Sequence, residues 1–487
     1  MLYDLSWLEP GKMFPPSEEK PRLERYASNL RIFKNEQYAV AQEYQPYLER
    51  IETVVSNVGE YINFPVLFNY QKLMSVKMAD LVCGERPVIT GKSEEENETV
   101  TTIREDINFD SKLYATVIDI SRYGDAIWRV YKTKEKNTFV CWEPTQWFPI
   151  VSADGTKTIT QHVLCWTVNV GTEAKPDFRL HVQIHHEGFY NYRVFKLDSF
   201  KGIIEREEEE PKKITTGIKG FAVMNLRAFE TSDTIYGSDD YDTVDSILAE
   251  VMVRVAQISS ILDKHADPSL TGPASMLKQD PATGRMFLET GKFYAVSAGE
   301  EQPKYLVWEG ELEAAFKQVE LLINQLYILS EMGSALVGAA AGGSQAVSGT
   351  AMRFKMVSPL AKARRIANNL ALQVRQLFSL VSQIGYTTVE RKNISVEWAD
   401  GLPDDPRENI EMVKLATGAK HIMPLELAIV EYFKRTNTEA QRWMKMIKEQ
   451  DIGEDEEEKD DDDPTKVNPL KKGSDTGLTA FHGMTNK

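Results

Sequence analysis

The residues whose types and spacing could support chemistry begin with a segment of small residues at 338–349. A glycine-rich loop binds phosphate when it follows a strand, opens a helix and ends in Gly-Lys-Ser or Gly-Lys-Thr. This segment lacks that ending and joins two predicted helices, so the sequence argues against a nucleotide site. Its candidate functional residues are Gly338, Ala340, Gly342, Gly343, Ser344, Gln345 and Ser348.

Histidines form the second group with possible chemistry. Four of the seven histidines in the chain fall in one stretch of predicted strands: His162, His181, His185 and His186. His181 and His185 would share one face of a strand, which is the only spacing that suggests a metal site. Because no carboxylate or cysteine completes a ligand set, we interpret them as ordinary strand histidines, and a ligand role is the alternative.

The remaining motifs point away from catalysis. Neither Gly-x-Ser-x-Gly nor His-Glu-x-x-His is present, and the paired carboxylates lie in runs typical of exposed surfaces. We therefore predict no catalytic residue, no cofactor and no metal, and a protein that is not an enzyme.

Charge is concentrated near the C-terminus. The chain has 487 residues and a formal net charge of −16. The run 451–463 holds ten acidic residues against Lys459, a net charge of −9, which is more than half of the excess. We expect 451–487 to be a disordered acidic tail, which either binds a partner or is simply solvated.

Cysteine usage and hydropathy indicate a cytoplasmic protein with no membrane contact. Cys83, Cys141 and Cys165 are odd in number and far apart, which argues for buried thiols over a disulfide framework. No apolar run reaches about 18 residues, and the N-terminus has no signal-peptide pattern.

Amphipathic helices are predicted on both sides of the segment 338–349. The helix before it repeats apolar residues at steps of three and four from Leu312 onward. The helix after it, 350–384, contains Pro359, which removes a backbone donor and predicts a helix kink.

A third long helix is predicted from Ser238, acting as its N-cap, to about His265. Because two amphipathic helices separated by an insert do not readily close one core, we interpret their apolar faces as a subunit interface; packing inside a single chain is the alternative. The interface candidates are Val244, Val251, Ile258, Leu312, Val319 and Leu326.

The N-terminal half combines an extended arm, helices and strands. Its first 25 residues, rich in proline, predict an arm that docks on a neighbouring subunit. Helices are expected at 23–58, 65–84 and 103–123. From Ala126 the period changes to two, which predicts an antiparallel β module with strands at 127–131, 139–142, 147–150, 162–166, 180–184 and 190–194.

Further strands and helices complete an α+β fold. Short strands are expected at 274–278, 286–289, 293–296 and 305–308, the first two joined by a tight turn at Asp280–Gly284. After the kinked helix we predict a strand at 394–398. Helices follow at 408–416 and 424–447.

Several short motifs and their order give the chain a resemblance to a known family. The motifs are Gly84-Glu85-Arg86-Pro87, Gly124-Asp125-Ala126, Gly237-Ser238-Asp239, Ser348-Gly349-Thr350-Ala351-Met352 and Val396-Glu397-Trp398 ahead of Pro403-Asp404-Asp405. In this order, with the helices and strands above, the chain resembles the portal proteins of tailed bacteriophages, particularly those of Siphovirus-like phages. The resemblance covers about residues 30–450.

The resemblance implies an assignment of segments to the parts of a portal. It implies an N-terminal arm and mixed α/β wing at 1–237, stem helices at 238–267 and 309–337, a small β clip at 268–308 and a tunnel loop facing DNA at 338–349. It also implies a kinked helix with the return strand of the wing at 350–399 and a helical crown region at 400–450. The acidic tail, 451–487, matches no motif of the family.

The resemblance also implies function and partners. Portals of this family form a homo-oligomeric ring of about twelve subunits at one capsid vertex. Such a ring conducts double-stranded DNA non-specifically during packaging and ejection. Its partners are the terminase large subunit, the major capsid protein and scaffold, and a head-tail adaptor protein. The expected location is the virion, with the host cytoplasm during assembly. The alternatives are another connector or scaffold-like virion protein and a nucleotide-dependent enzyme.

Overall fold

The structure is a computed structural model, and it describes nine longer stretches of the chain together with short pieces between 270 and 305. The longer stretches are 1–35, 68–133, 137–207, 210–266, 312–336, 354–398, 406–418, 422–433 and 439–449. The chain divides into two units, Met1–Leu402 and Pro403–Lys487.

Four helices precede the strands of the first unit: α1 (Lys20–Lys34), α2 (Tyr70–Cys83), α3 (Glu94–Asp106) and α4 (Phe109–Tyr123). Helix α1 ends at Asn35, whose left-handed backbone stops it, so the single helix predicted over 23–58 is wrong at that point. The helix predicted over 103–123 is likewise two helices. Helix α3 begins at a capping box formed by Ser93 and Glu96.

Helix α4 packs its predicted apolar face into the main core. Leu113, Val117 and Ile120 are buried there at spacings of four and three residues. The helix ends at Gly124, whose φ of +81° favours glycine. Apolar periodicity and the glycine stop therefore predicted this helix end correctly.

Two antiparallel sheets form the predicted β module. The order in the smaller sheet is β10-β2-β3, and in the larger sheet β4-β5-β6-β7-β8, with β9 also paired to β7. The six predicted strands are confirmed as β2 (Asp125–Lys132), β3 (Asn137–Trp142), β4 (Trp147–Val151), β5 (Ile159–Asn169), β6 (Phe178–His186) and β7 (Phe189–Leu197). Three further strands were not predicted: β8 (Ile203–Arg206), β9 (Lys212–Thr215) and β10 (Val223–Arg227).

The N-terminal arm packs on this larger sheet of its own chain. Leu2 pairs with Ile150, and the Ile203 amide donates to the Lys12 carbonyl. Leu2, Trp7 and Leu8 are buried with the apolar face of the sheet. The prediction that the arm docks on a neighbouring subunit is therefore wrong for these residues, because one face of the sheet already provides their apolar contacts.

The third long helix, α5 (Asp245–Ala266), starts later than predicted. The Asp239 carboxylate accepts the amides of Tyr241 and Asp242, so this segment forms a turn before the helix begins. Ser238 is therefore not the N-cap. Side chains that are distant in the sequence bind Asp239 and Asp240 and hold this backbone outside the helix.

Short strands follow α5, as predicted. They are β11 (Leu270–Thr271), β12 (Leu277–Gln279), β13 (Met286–Leu288) and β14 (Lys304–Tyr305), and they pair β11 with β14 and β12 with β13, both antiparallel. Gly284, with a φ of +68°, lies in the link between β12 and β13, and residues 280, 282 and 283 of the predicted turn lie outside the described residues. The strand predicted at 293–296 lies outside the described residues.

Three helices and a strand complete the first unit. They are α6 (Leu312–Leu329), the short α7 (Gly333–Leu336), α8 (Val357–Ser382) and β15 (Ile394–Glu397), preceded by β1 (Val88–Gly91), with which β15 pairs. The predicted strand at 394–398 is thus confirmed. Helix α8 packs against α2, β10 and β15 around the main core.

The second unit contains helices. They are α9 (Pro406–Thr417), α10 (Leu425–Phe433) and a helix over 439–449. Helices α9 and α10 pack against each other, and Phe433 stacks near Trp443. The helix predicted over 424–447 is therefore described as two pieces, and the tail 451–487 lies outside the described residues.

Candidate functional site

The segment 338–349 lies outside the described residues, and so do all seven of its candidate positions: Gly338, Ala340, Gly342, Gly343, Ser344, Gln345 and Ser348. The described chain stops at Leu336 and resumes at Phe354. What the structure provides is the set of contacts that holds both flanks of this segment, which we call the junction (residues 121–125, 237–245, 330–333 and 355–365).

Lys362 is the centre of the junction. It is only 6% exposed on α8, yet its ammonium lies 2.7 Å from an Asp240 carboxylate oxygen. The same ammonium donates to the Ser330 carbonyl at 3.1 Å, just after α6. A buried cation must be paired, and this one ties the end of α6, the start of α8 and the turn before α5 together.

Three further contacts support this tie. The Ser121 hydroxyl donates to the Asp240 carboxylate at 2.6 Å, and Arg365 pairs with Glu331 at 2.8 Å. Gly333, with a φ of +61°, lies so close to Lys355 and Pro359 that a Cβ there would be 3.4 Å from both. The two flanks of 338–349 are therefore held against each other.

Pro359 lies in the first turn of α8, where its missing amide costs no helical hydrogen bond. Residues 354–355 are helical and Met356 forms a turn before α8 begins. The helical pattern is thus interrupted three residues before Pro359, at the place where the proline ring would meet the carbonyl of residue 355 in a continuous helix.

Two sequence motifs, 124–126 and 237–239, meet at a glycine pair. A Cβ on Gly237 would lie 2.0 Å from the Gly124 carbonyl oxygen, and a Cβ on Gly124 would lie 2.5 Å from the Gly237 backbone. The two backbones are therefore in direct contact, which requires glycine on both sides. No local signal in the sequence announced this pairing, since 113 residues separate the two glycines.

A Gly237→Ala variant is expected to be destabilised by about 2–3 kcal/mol, because one backbone must move to admit the methyl group. Gly155→Ala is the matched control. Gly155 has a φ of +84° but nothing within 4 Å of its Cβ position, so only backbone strain of about 1 kcal/mol is expected. Chemical denaturation of both variants measures the difference, and equal losses would contradict the close contact.

Asp125 is buried next to the glycine pair. Its carboxylate accepts the Tyr26 hydroxyl at 2.5 Å and the Gly237 amide at 3.1 Å. Burial raises the pKa of Asp125 to about 6, against the lowering effect of the Tyr26 hydrogen bond. The negative form is therefore disfavoured, although two donors hold the carboxyl group in place.

This raised pKa predicts a pH dependence. A carboxyl whose pKa is raised on folding stabilises the fold below its unfolded value near 4, and that stability is lost as pH rises through about 6. The stability advantage of the wild type over Asp125→Asn should therefore shrink between pH 4 and pH 7. Asp154→Asn is the control, because hydrogen bonds from Ser152 and Thr156 lower the pKa of Asp154 to about 2. The effect of this substitution on stability should therefore stay constant over that range. Melting temperatures measured across this pH range test both variants. The same pH dependence for Asp125→Asn and Asp154→Asn would contradict the raised pKa of Asp125.

The interface candidates fall in different environments. Val244, Val251, Ile258 and Leu326 are buried within the chain, so packing inside one chain accounts for their apolar character. Val319 is half-buried, and Leu312 is described only as the first residue of α6. Helices α5 and α6 pack against each other through this face.

The other side of α6 carries an apolar stripe that sequence analysis missed. Leu321 is 58% exposed and Ile328 is 64% exposed, seven residues apart and so on one face. Phe316, 53% exposed, and Leu329, 50% exposed, lie on the predicted face that begins at Leu312, so that face is only partly covered. The sequence pattern that could have predicted this stripe is a pair of apolar residues seven positions apart, opposite the face that begins at Leu312.

The described residues show no arrangement typical of a metal centre. Among them, no group of three or more histidines, cysteines, aspartates or glutamates is placed to hold a metal ion. His181 contacts the Tyr192 hydroxyl at 2.6 Å and stacks on Trp166, and His185 stacks on Tyr190. The three cysteines are free thiols, and no described helix is long and apolar enough to cross a membrane.

The chain therefore has a mixed α/β fold in which long helices are tied at a buried ion pair beside a β module of antiparallel sheets. It belongs to the phage portal protein family, SPP1 Gp6-like, whose family model matches residues 16–453. The resemblance drawn from the order of motifs is therefore confirmed. No curated protein matches the chain.

Solved structures similar to the chain come from gene transfer agent (GTA) particles. The virion of a native GTA particle contains a chain with 13% identity and a TM-score of 0.44, covering 74% of this chain and 89% of that one. The neck of an empty GTA particle, computed with C6 symmetry, gives 14% identity, a TM-score of 0.44 and coverages of 74% and 88%. The neck of the native particle, computed with C12 symmetry, gives 12%, 0.41, 74% and 89%.

Proposed function

We propose that this protein forms the portal ring at one vertex of a phage capsid and conducts double-stranded DNA during packaging and ejection. The observation that carries the proposal is an uncovered apolar stripe on α6 in a chain of the portal family. Exposed apolar surface on a long helix marks a contact with another protein. In a ring, the neighbouring copy supplies that contact.

The junction supports a role for 338–349 in the channel wall. Lys362, Arg365 and Gly333 hold the two flanks of the segment together, so its ends are fixed relative to the helices. The segment contains no lysine or arginine. A moving duplex could pass such a wall without breaking a series of salt-dependent phosphate contacts.

The partners follow from the proposed place in the particle. A portal ring would contact the major capsid protein and scaffold at its outer side. The β unit at 268–308, as the clip, would face the terminase large subunit during packaging and the head-tail adaptor afterwards. The location is then the virion, after assembly in the host cytoplasm.

Imaging of the purified full-length chain tests the proposal. Negative-stain particles with an axial hole are expected. A connector or scaffold-like virion protein is the second candidate, and a scaffold-like protein would give assemblies without an axial hole. A monomer that hydrolyses ATP would instead identify a nucleotide-dependent enzyme and overturn the proposal.

Lysine in the segment 338–349 is expected to slow packaging. Replacing Ala340 and Ser344 with lysine adds phosphate contacts that a moving duplex must break, so rings should assemble, bind DNA more tightly at low salt and package more slowly. The same positions changed to glutamine match the added bulk without charge and should package at near-normal rates. Equal DNA affinity and packaging rates in both variants would remove the segment from the channel wall.

A further inference from the structure

A groove of about 400 Å³ opens between α2, α8 and the residues around β15. Ala363 and Arg364 of the junction line it, but the buried pair of Lys362 and Asp240 and the apolar stripe on α6 do not. Its apolar lining includes Leu81, Val82, Ala367, Ala371, Leu372 and Trp398.

The groove exists because α8 carries alanines where it faces α2. Ala363, Ala367 and Ala371 recur every four residues and so lie in one row along the helix. Three small side chains in a row leave the space that larger residues would fill. At the edge of this row Leu372 is 56% exposed, so the groove has an apolar side open to a ligand.

Two arginines of α8 give the groove a positive charge. Arg364 and Arg375 both line it, and in the described part of the chain neither forms an ion pair. Eleven residues separate them, which places their backbones about 16 Å apart along the helix. Between them the described lining contributes Asn368 and no carboxylate.

Two buried donors in the same place lack partners. Within the described residues, the Nε of Arg375 and the Nε1 of Trp398 are buried with no hydrogen-bond acceptor. Buried N–H groups in native proteins are almost always paired. Both side chains line the groove, but the two nitrogen atoms are shielded, so the side chains must turn toward the groove before an acceptor placed there can satisfy them.

We propose that this groove binds an extended acidic segment of a partner protein, with one carboxylate at Arg364 and a second at Arg375. A span of about 16 Å corresponds to about five residues of extended chain, but only side chains an even number of positions apart share a face. The two carboxylates would therefore be four positions apart, and the long arginine side chains would cover the difference. The residues between them would lie on the alanine row and Leu372. A backbone carbonyl of the segment would accept from the Trp398 indole.

The shape of the groove favours a peptide over duplex DNA. A duplex carries its phosphates on a rigid, hydrated cylinder, which cannot reach the floor of a groove this small or use its apolar lining. An extended peptide can place carboxylates on arginines and apolar side chains on the lining at once.

Fluorescence anisotropy tests the proposal with the full-length protein in its purified oligomeric state. The probe is a labelled peptide, Glu-Ala-Leu-Ala-Glu, and the comparison peptide has lysine in place of both glutamates. Saturable, salt-sensitive binding of the glutamate peptide is expected. The double variant Arg364→Gln/Arg375→Gln should bind it about tenfold more weakly, because both charge-assisted contacts are lost.

Arg365→Gln is the matched control, because Arg365 is the next residue on α8 but pairs with Glu331 outside the groove. The affinity of this variant for the glutamate peptide should change less than twofold. Ala371→Met fills the groove while keeping both arginines, and it should also weaken binding, which keeps the test informative if the double variant fails to assemble. The proposal would be overturned if the glutamate peptide did not bind, or if it bound Arg365→Gln and the groove variants with equal affinity. It would also be overturned if a single-stranded oligonucleotide bound more tightly than the peptide. Ring images of the same samples report separately on the proposed function.

Discussion

Replacing Ile328 with aspartate is expected to break the oligomer into folded monomers. Ile328 is 64% exposed in the single chain, so the monomer tolerates a charge there, whereas a subunit contact would bury that charge without a partner. Such burial costs about 2–7 kcal/mol for a polar group and more for a charge. In a closed ring the cost recurs at every contact, and Leu321→Asp should act the same way.

Two controls separate loss of the ring from loss of the fold. Ile204→Asp changes an exposed apolar residue on β8 and should leave the oligomer intact. Val251→Asp places a charge at a side chain buried within the chain, so it should unfold the protein as well. Light scattering gives the oligomer size and circular dichroism the fold. Intact oligomers for both Ile328→Asp and Leu321→Asp would show that the stripe on α6 is not a subunit contact.

Replacing Lys362 with methionine should cost about 3–5 kcal/mol, because it leaves the Asp240 carboxylate buried without its cation. The side chains of this pair are 8% and 15% exposed, and the ammonium also holds the Ser330 carbonyl. Besides a lower melting temperature at fixed protein concentration, we expect faster proteolysis within 337–353, because its two flanks are no longer tied.

Arg365→Met is the matched control for this prediction. Arg365 lies one turn along α8 and pairs with Glu331, but both side chains are about 40% exposed, so the loss should be about 0–1 kcal/mol. The double variant Lys362→Met/Asp240→Asn removes both charges and should recover part of the stability, and a double-mutant cycle gives the coupling. Similar small losses for Lys362→Met and Arg365→Met would refute the central role of the buried pair.

Local patterns predicted much of the fold. Strands β2 to β7 and β15 were predicted from period-two alternation, which is typical of a strand with one buried face, whereas β8, β9 and β10 were not predicted. The face of α4 and its end at Gly124 followed from helical periodicity and glycine chemistry. Helix α3 also has a local signal, the Ser93 and Glu96 capping box, which sequence analysis overlooked.

The junction could not be predicted because its partners are distant in sequence. Ser238 has the chemistry of an N-cap, but Arg25 binds Asp239 and Asp245 from 214 and 220 residues away. Lys362 binds Asp240 in the same segment. These long-range pairs decide where α5 begins, and periodicity carries no information about them. The family resemblance gave the order of the parts but not the contacts between them.

The pairing of β1 with β15 has a consequence for synthesis of the chain. Val88 and Glu397 are partners in this two-stranded sheet, so closing it joins segments about 300 residues apart. Ile89, Ile394 and Val396 belong to the main core together with α2 and α8. A nascent chain on the ribosome cannot complete that core until residue 397 has emerged, whereas β4 to β7 pair with one another in chain order and can fold earlier. Assembly with other copies would therefore begin only after nearly the whole polypeptide has been translated.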